Sequence, residues 1–527
     1  MTEPTQLAAS DAAPNPPSTK AKYMTLLAAF LGWMFDGFEM GLFPLIGQPA
    51  LADLLGSNAA PGDATKWFAS IIAVFLVGAA SGGVFFGWLG DKIGRVRAMS
   101  LSIFTYAIFT GLCGFATEAW HIAALRFIAS LGMGGEWSLG VALVNEIWPR
   151  KSRALIAGLI GAAANVGFLV VALLSMGLVG FIGGVKSFLL GIGLSETMTT
   201  SLLANSAWRF LMISGAVPAL LIFFIRLFVP ESERWEHEKA KGATSHWVNA
   251  DLVGVLIGSV ATLAIIWAWS PAGISAIPAT FITIVGLAIA LLGFLYPVRQ
   301  YLKRAAAAGS LHADSQRQVL RNMLFGAGLA GVALLGTWGS IQWAPRWAGQ
   351  LKPDTKVESQ LPDGKSETVI TKYYAKEKTQ IATALGAILA TIVAALAAGK
   401  WGRRPTYTLM CIGSIASALY FYQGNSSFGI GFLVAAFLAG GITAAFYGFF
   451  PLYFPELFPT AVRATGQGFA FNFGRIIAAI GGLQTATLIG FFDGSFPKAG
   501  SVMTVIYLIG MGIIWLGDET NGKGLPE

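Results

Sequence analysis

Apolar runs long enough to cross a bilayer recur along the whole chain, separated by short polar or charged segments. This alternation constrains the fold more than any other feature. A bilayer interior has no water to satisfy backbone N–H and C=O groups, so a spanning segment must be a helix or part of a closed barrel. A helix rises about 1.5 Å per residue against a hydrocarbon core about 30 Å thick, and runs near twenty residues suit that length. Composition agrees, since 55% of the 527 residues are hydrophobic and 12% are charged, about half the charge of an ordinary soluble chain. The net charge of +8 does not call for nucleic acid, because the basic residues sit in short loops beside apolar runs, as cytoplasmic loops do. Cys113 and Cys411 lie far apart within apolar runs, which argues against a disulfide framework.

In chain order, residues 1–22 read as a disordered cytoplasmic tail ending at Lys20 and Lys22. The next run continues past Asp36 and Glu39 to Leu45, longer than the core of a signal peptide, and is expected to be the first span. Further spans at about 68–90, 98–116, 121–147, 154–183 and 207–229 complete an N-terminal six-helix bundle over 23–229. A linker over 230–318 opens on the polar PESERWEHEKAK and carries an apolar hairpin at about 250–298. Spans at about 320–343, 380–399, 406–422, 428–452, 463–490 and 500–516 form a C-terminal bundle over 319–516, followed by a cytoplasmic tail at 517–527. The expected total is fourteen spans with both termini in the cytoplasm. The Lys-rich loop 345–378 then lies outside, where loops of that length weigh little in the charge rule.

The chain contains an internal repeat. Glu146, Pro149, Arg153, Ala154 and Gly158 in NEIWPRKSRALIAG recur 310 positions later as Glu456, Pro459, Arg463, Ala464 and Gly468. Lys92, Gly94 and Arg95 recur 308 positions later as Lys400, Gly402 and Arg403. Two motifs with almost one offset indicate duplicated halves. The first copy of the loop, GWLGDKIGRVR over 87–97, also carries Asp91, which Gly399 replaces in the second copy. Its pattern G-x-L-x-D-K-x-G-R resembles the loop between helices 2 and 3 of the major facilitator superfamily. The resemblance implies an all-α membrane fold of two six-helix bundles in pseudo-twofold repeat, here with an inserted two-helix hairpin, working by alternating access.

Alternating access requires breakable contacts on the closed side. Asp91 is placed to face the N-terminus of the helix beginning near Thr460, whose unpaired amides carry partial positive charge. Arg95, Glu146, Arg153, Glu456 and Arg463 are candidates to complete a cytoplasmic gate; as a bland alternative they anchor helix ends among lipid headgroups. Ionisable residues inside spans are more informative, since each costs roughly 2.5–3.5 kcal/mol at a helix centre and usually faces a cavity or a partner. Asp36 and Glu39 share one helix face and are candidate proton carriers, or structural partners of Arg126. In the fourth span Glu136 follows Arg126 by ten residues, about 15 Å along the axis, and is either a further proton site or the satisfied partner of a polar neighbour. Arg475, about twelve residues into its span, suits a substrate carboxylate through its planar fork, with a permanent ion pair to Asp36 or another acid as the alternative; Arg126 is the next candidate to bind the substrate carboxylate. Trp338, Gln342 and Tyr447 offer aromatic walls and hydrogen bonds, while Trp343 and Trp347 read better as an interfacial belt.

The first-span DGFE and the fourth-span GMGGEW resemble the organic-acid:proton symporters of the superfamily, the sialate branch in particular. PELFPTAVRATGQG, Arg475 and the ending DETNGKGLPE are similar to aromatic-acid and sugar-porter-like members. The fourth span's Arg followed by spaced glycines resembles a helix associated with proton coupling, although Ser130 stands where a glycine is usual. These resemblances imply a proton-coupled carrier of a small organic anion, sialic-acid-like or a mono- or aromatic carboxylate, in the cell inner membrane and working as a monomer. A neutral-sugar porter is the alternative, with a drug antiporter or a membrane sensor behind it. The only histidines are His121, His237, His246 and His312, none well inside a span or in a metal-spaced cluster, so neither an enzyme, a cofactor nor a metal is expected.

Overall fold

The computed structural model describes residues 18–56, 63–269, 274–309, 313–360 and 366–526; of the tail expected over 1–22, residues 1–17 lie outside the described residues, while 19–22 are already helical because Ser18 caps a helix that starts at Thr19. The first half comprises α1 (Thr19–Leu55), α2 (Asp63–Ile93), α3 (Arg95–Leu112), α4 (Ala119–Ile147), α5 (Arg153–Met176), α6 (Leu178–Gly191), α7 (Glu196–Ser214) and α8 (Leu221–Phe228). A short α9 (Glu233–Ala240) leads to the hairpin α10 (Leu252–Ala268) and α11 (Ala276–Ala307). The second half comprises α12 (Ala313–Gly339), α13 (Ala344–Leu351), β1 (Thr355–Gln360), β2 (Ser366–Thr371), α14 (Ala375–Trp401), α15 (Arg403–Gln423), α16 (Ile430–Ala444), α17 (Phe446–Tyr453), α18 (Arg463–Phe491), α19 (Phe496–Met503) and α20 (Ile506–Ile513). Eleven helical stretches among the described residues are long and apolar enough to cross a membrane. The other three expected spans are helical as well: α15, α18, and the pair α7–α8, which is broken around Pro218.

Several features depart from the expected layout. The fifth span ends at Met176, and a separate α6 follows before α7, where the sequence reading had one run to 183 and then a loop. α7 itself contains a left-handed turn at Asn205, Ser206 and Ala207, a backbone region that costs L-residues energy. Asp53 at the end of α1 holds it, accepting from Asn205 Nδ2 at 2.8 Å and Trp208 Nε1 at 3.0 Å. The Lys-rich loop is also ordered in part, with β1 and β2 paired antiparallel from Thr355–Thr371 to Gln360–Ser366. Trp347 is no belt residue: it is buried against Phe421, Tyr422 and Phe432, and Trp343 packs near Phe496.

Lipid tails give helices no hydrophobic reason to associate, so close backbone packing must do it. Small residues permit this where the halves meet: a Cβ at Gly468 on α18 would overlap the Gly83 carbonyl on α2, and one at Gly161 on α5 would overlap the backbone of Gly448 on α17. The duplication is visible in the backbone too, since Gly94 and Gly402 open α3 and α15 at φ of 109° and 98°, where glycine alone is comfortable. The hairpin covers the α2–α18 seam: Ser259 on α10 donates to Ser81 on α2 at 2.7 Å, and Phe294 on α11 meets Phe473 on α18 edge to face.

Candidate functional site

α1, α5, α12, α14, α17 and α18 converge on a cavity lined by Trp33, Asn165, Trp338, Gln342, Gln380, Thr383, Tyr447, Phe471 and Arg475. Arg475 and Phe471 are one turn apart on α18, so they share a face, and the guanidinium carbon lies 5.5 Å from the phenyl centroid. Arg475 is only 5% exposed, and its Nη1 makes no hydrogen bond. Asp36 is the carboxylate whose charge acts on it, yet the two form no ion pair. Arg475 thus lines the pocket with one guanidinium nitrogen unpaired, and the aromatic wall continues through Phe471 stacked on Trp137 at 4.0 Å, with Trp33 at 6.3 Å from Phe471.

Behind this cavity lie the intramembrane acids. Asp36 is fully buried, and neither of its oxygens accepts a hydrogen bond from an N–H or O–H group; the same holds for Glu136 on α4. The two carboxyls lie within reach of each other, and a hydrogen bond between them requires one to carry a proton. Gly32, one turn before Asp36, makes the arrangement possible, because a Cβ there would overlap the Glu136 carboxylate. Glu39 has a different partner: its Oε1 pairs with Arg126 Nη1 at 2.6 Å in a buried bridge. Phe43 and Phe75 hold that guanidinium at 4.4 Å and 4.7 Å.

The end of the molecule bearing the 87–97 loop is closed by a polar network. Asp91 accepts from the Ala464 and Thr465 amides at 3.2 Å and 2.8 Å and from the Thr465 hydroxyl at 2.6 Å. These are first-turn donors of α18, the groups that a helix leaves unpaired. Arg95 pairs with Asp91 at 3.0 Å and Glu146 at 3.2 Å and donates to the Thr460 carbonyl at 2.7 Å, while Arg463 reaches Glu146 at 2.6 Å. The four charged side chains of this network are fully covered. Across the seam, Asn145 donates to the Pro451 carbonyl at 3.0 Å and Asn472 to the Gly134 carbonyl at 3.1 Å.

The repeat extends to this chemistry. In the first half Glu231 accepts from the Arg95 and Val96 amides, and Arg95 pairs with Glu146. In the second, Glu519 accepts from the Arg403 and Arg404 amides, and Arg403 pairs with Glu456 at 2.6 Å. Burial alone would push the Glu519 carboxyl up, but the amides of Arg403, Arg404 and Asn521 outweigh it and hold the group below the usual carboxylate range. Glu231 is half-buried, and there desolvation outweighs the amides and Arg95 and pushes the carboxyl up instead.

The structure therefore brings together Trp338, Gln342, Tyr447 and Arg475 at the cavity, Asp36 and Glu136 behind it, and Asp91, Arg95, Glu146 and Arg463 at the closed end. It separates two expectations from these groups. Arg126, a substrate-binding candidate in the sequence, does not line the cavity and is committed to Glu39, because α1 presents Glu39 directly to α4. Arg153 lies near Glu456 but forms no ion pair among the described residues, since Arg403 occupies that carboxylate. Sequence reasoning missed Trp33, Asn165, Gln380, Thr383 and Phe471. Trp33 and Phe471 carried a usable signal, each lying one turn before an ionisable residue of interest. Arg403, Glu231 and Glu519 were also missed at the gate, although Arg403 stood in the repeat.

With this geometry in place, comparison with known proteins decides the family. Residues 24–255 and 366–525 match the family described as sugar (and other) transporter. The chain belongs to that family, within the major facilitator superfamily. It is a multi-pass membrane transporter and not an enzyme. Among curated relatives, the cis,cis-muconate transport protein of Acinetobacter baylyi is 27% identical, over 92% of this chain and 92% of its own. The niacin transporter NiaP of the same organism is 25% identical over 97% and 98%. The sialic acid transporter NanX of Escherichia coli is 31% identical, over 43% of this chain and 47% of its own. A solved proton:xylose symporter, XylE, superposes with a TM-score of 0.63 at 18% identity, covering 96% of this chain and 98% of that one. That likeness speaks to the fold.

Proposed function

We propose that the transporter carries a small planar organic anion, a mono- or aromatic carboxylate, together with a proton. The observation that carries this reading is Arg475, a buried guanidinium with an unpaired nitrogen in the lining of an aromatic-walled cavity. A carboxylate is its natural bidentate partner, and flat apolar bodies suit Trp33, Trp338 and Phe471. Relatives named for cis,cis-muconate and niacin, both carboxylic acids, align with nearly the whole chain and support the same class.

Coupling follows from charge. With the cavity empty, Arg475 favours a negative Asp36–Glu136 pair. A bound anion cancels that field, so the anion and a shared proton favour each other's binding, and by linkage the effect is reciprocal. Glu39 and Arg126 hold α1 against α4 beside this pair. Asp91, Arg95, Glu146 and Arg463 close the cytoplasmic side, assisted by Arg153 and Glu456. The bundles 23–229 and 319–516 rock about the cavity, in a monomer seated in the inner membrane with both termini cytoplasmic.

Uptake by proteoliposomes tests the reading. Nicotinate, muconate, benzoate, lactate, sialic acid and xylose are each offered with and without an inward proton gradient. Accumulation of the planar carboxylates driven by the gradient is expected. Uptake of xylose in preference to every acid, or carboxylate uptake indifferent to the gradient, would overturn the substrate or the coupling respectively.

A further inference from the structure

The central cavity has two unlike ends. Among the described residues that line it, Arg475 alone is charged, and two neutral amides, Gln342 and Gln380, share the lining with it. Both glutamines are half-buried, and neither side chain makes a hydrogen bond among the described residues. Their amide atoms are not sealed in the core either, unlike the covered polar atoms of Asp36 and Glu136, so the two unpaired amides are accessible in the cavity lining.

Packing fixes the order of these groups along the membrane normal. A Cβ at Gly474, beside Arg475, would overlap the backbone of Ala330 and Gly331 on α12, so Arg475 starts level with those residues. Gln342 lies eleven residues beyond Gly331, away from the closed gate, roughly 15 Å at helical rise. Phe471 lies 6.4 Å from the Tyr447 ring, and Gly448 packs on the Thr391 backbone, so Phe471 is level with Thr391 of α14. Gln380 lies eleven residues from Thr391 toward the start of α14, and Arg475 is one turn from Phe471 in the same direction, which leaves about 10 Å between Arg475 and Gln380. Less the reach of an arginine and a glutamine side chain, that span suits one six-membered ring with a group at each end.

We infer that Gln342 and Gln380 determine specificity: they pair with a neutral hydrogen-bonding group at the far end of a planar monoanion and exclude a second carboxylate. The inference rests on the reading of Arg475 as the carboxylate contact. A primary amide both donates and accepts, so a hydroxyl, a carboxamide or a ring nitrogen finds a partner there. A second carboxylate would leave water with no counter-charge, because the charge of Arg475 meets the first carboxylate and is already opposed by Asp36. Arg346 and Lys376, which flank the two glutamines in the chain, are exposed and do not line the cavity. Muconate, with two carboxylates, should accordingly be the poorest of the planar acids.

The test uses the full chain in lipid nanodiscs and equilibrium binding at pH 7. The probes are terephthalate, its monoamide 4-carbamoylbenzoate, the apolar isostere 4-isopropylbenzoate, and benzoate. The monoamide is expected to bind at least about tenfold more tightly than terephthalate, whose second charge is unmatched. Gln380→Lys or Gln342→Lys should shift that ratio at least about tenfold toward terephthalate by supplying the missing cation, and either variant decides the point should the other misfold. Replacing both glutamines by methionine should shift the ratio of monoamide to isopropyl compound about threefold or more toward the latter. Equal binding of terephthalate and its monoamide in the wild type, a ratio unmoved in both lysine variants, or no shift in the methionine pair overturns this inference alone, provided that Arg475→Lys still weakens benzoate. Benzoate binding indifferent to Arg475→Lys, or no binding of any of the four acids, overturns the anion reading and this inference with it.

Discussion

Replacing Asp91 by asparagine should open the gate by an amount the geometry allows one to estimate. In the closed arrangement the carboxylate accepts two α18 amides and the Thr465 hydroxyl across the seam and pairs with Arg95. Asparagine keeps one acceptor oxygen but turns an NH₂ donor toward a second donor. Two charge-assisted bonds are lost, each worth about 1.5 kcal/mol or more. Arg95 retains Glu146 and the Thr460 and Gly90 carbonyls, so its own loss adds little. In the open arrangement water satisfies the same amides, so the penalty of about 3 kcal/mol falls on the closed state alone and shifts the closed-to-open ratio about a hundredfold. Spin labels at Arg97→Cys and Lys400→Cys, both exposed and on opposite halves, report the gate distance without background from the buried Cys113 and Cys411. The long-distance population should rise in Asp91→Asn, with slower gradient-driven turnover. An unchanged distance distribution accompanied by weaker substrate binding would refute the gate assignment.

Asp36→Asn should abolish gradient-driven accumulation yet leave counterflow exchange, measured in the same liposomes, whereas Glu39→Gln should lower the yield of folded protein, because it leaves Arg126 buried without its counter-charge, a loss of about 3–5 kcal/mol. Arg475→Lys should fold but bind a carboxylate substrate at least tenfold more weakly by titration calorimetry, and the carboxamide analogue should then lose little more; additive losses would make Arg475 a structural cation. Glu519 has a depressed folded value, so its stabilisation of the tail is complete above the unfolded value of 4.5 and is lost as pH falls through the folded one. Hydrogen exchange at 517–526 should accordingly stay slow at neutral pH and accelerate only in acid, while Glu519→Gln should loosen the tail already at pH 7.

The sequence by itself determined the helices, the duplication and the position of the polar clusters along the membrane normal. These follow from local requirements: a spanning segment must satisfy its own backbone, its length is set by the bilayer, and the positive φ that opens α3 and α15 needs glycine wherever it occurs. The aim of Asp91 at a helix start was legible for the same reason, since unpaired first-turn amides exist at every helix. Partner choice was decided only in three dimensions. Asp36 and Glu39 share a face in the sequence, yet one meets Glu136 and the other Arg126, because spacing fixes which side of α1 a residue occupies but not which stretch of α4 passes beside it. Likewise Glu146 pairs with Arg95 of its own half and Arg463 of the other, and Arg403 takes the Glu456 carboxylate that Arg153 faces. A buried charge takes the partner that the packing of several helices brings within about 3 Å, and no local pattern along one chain contains that distance.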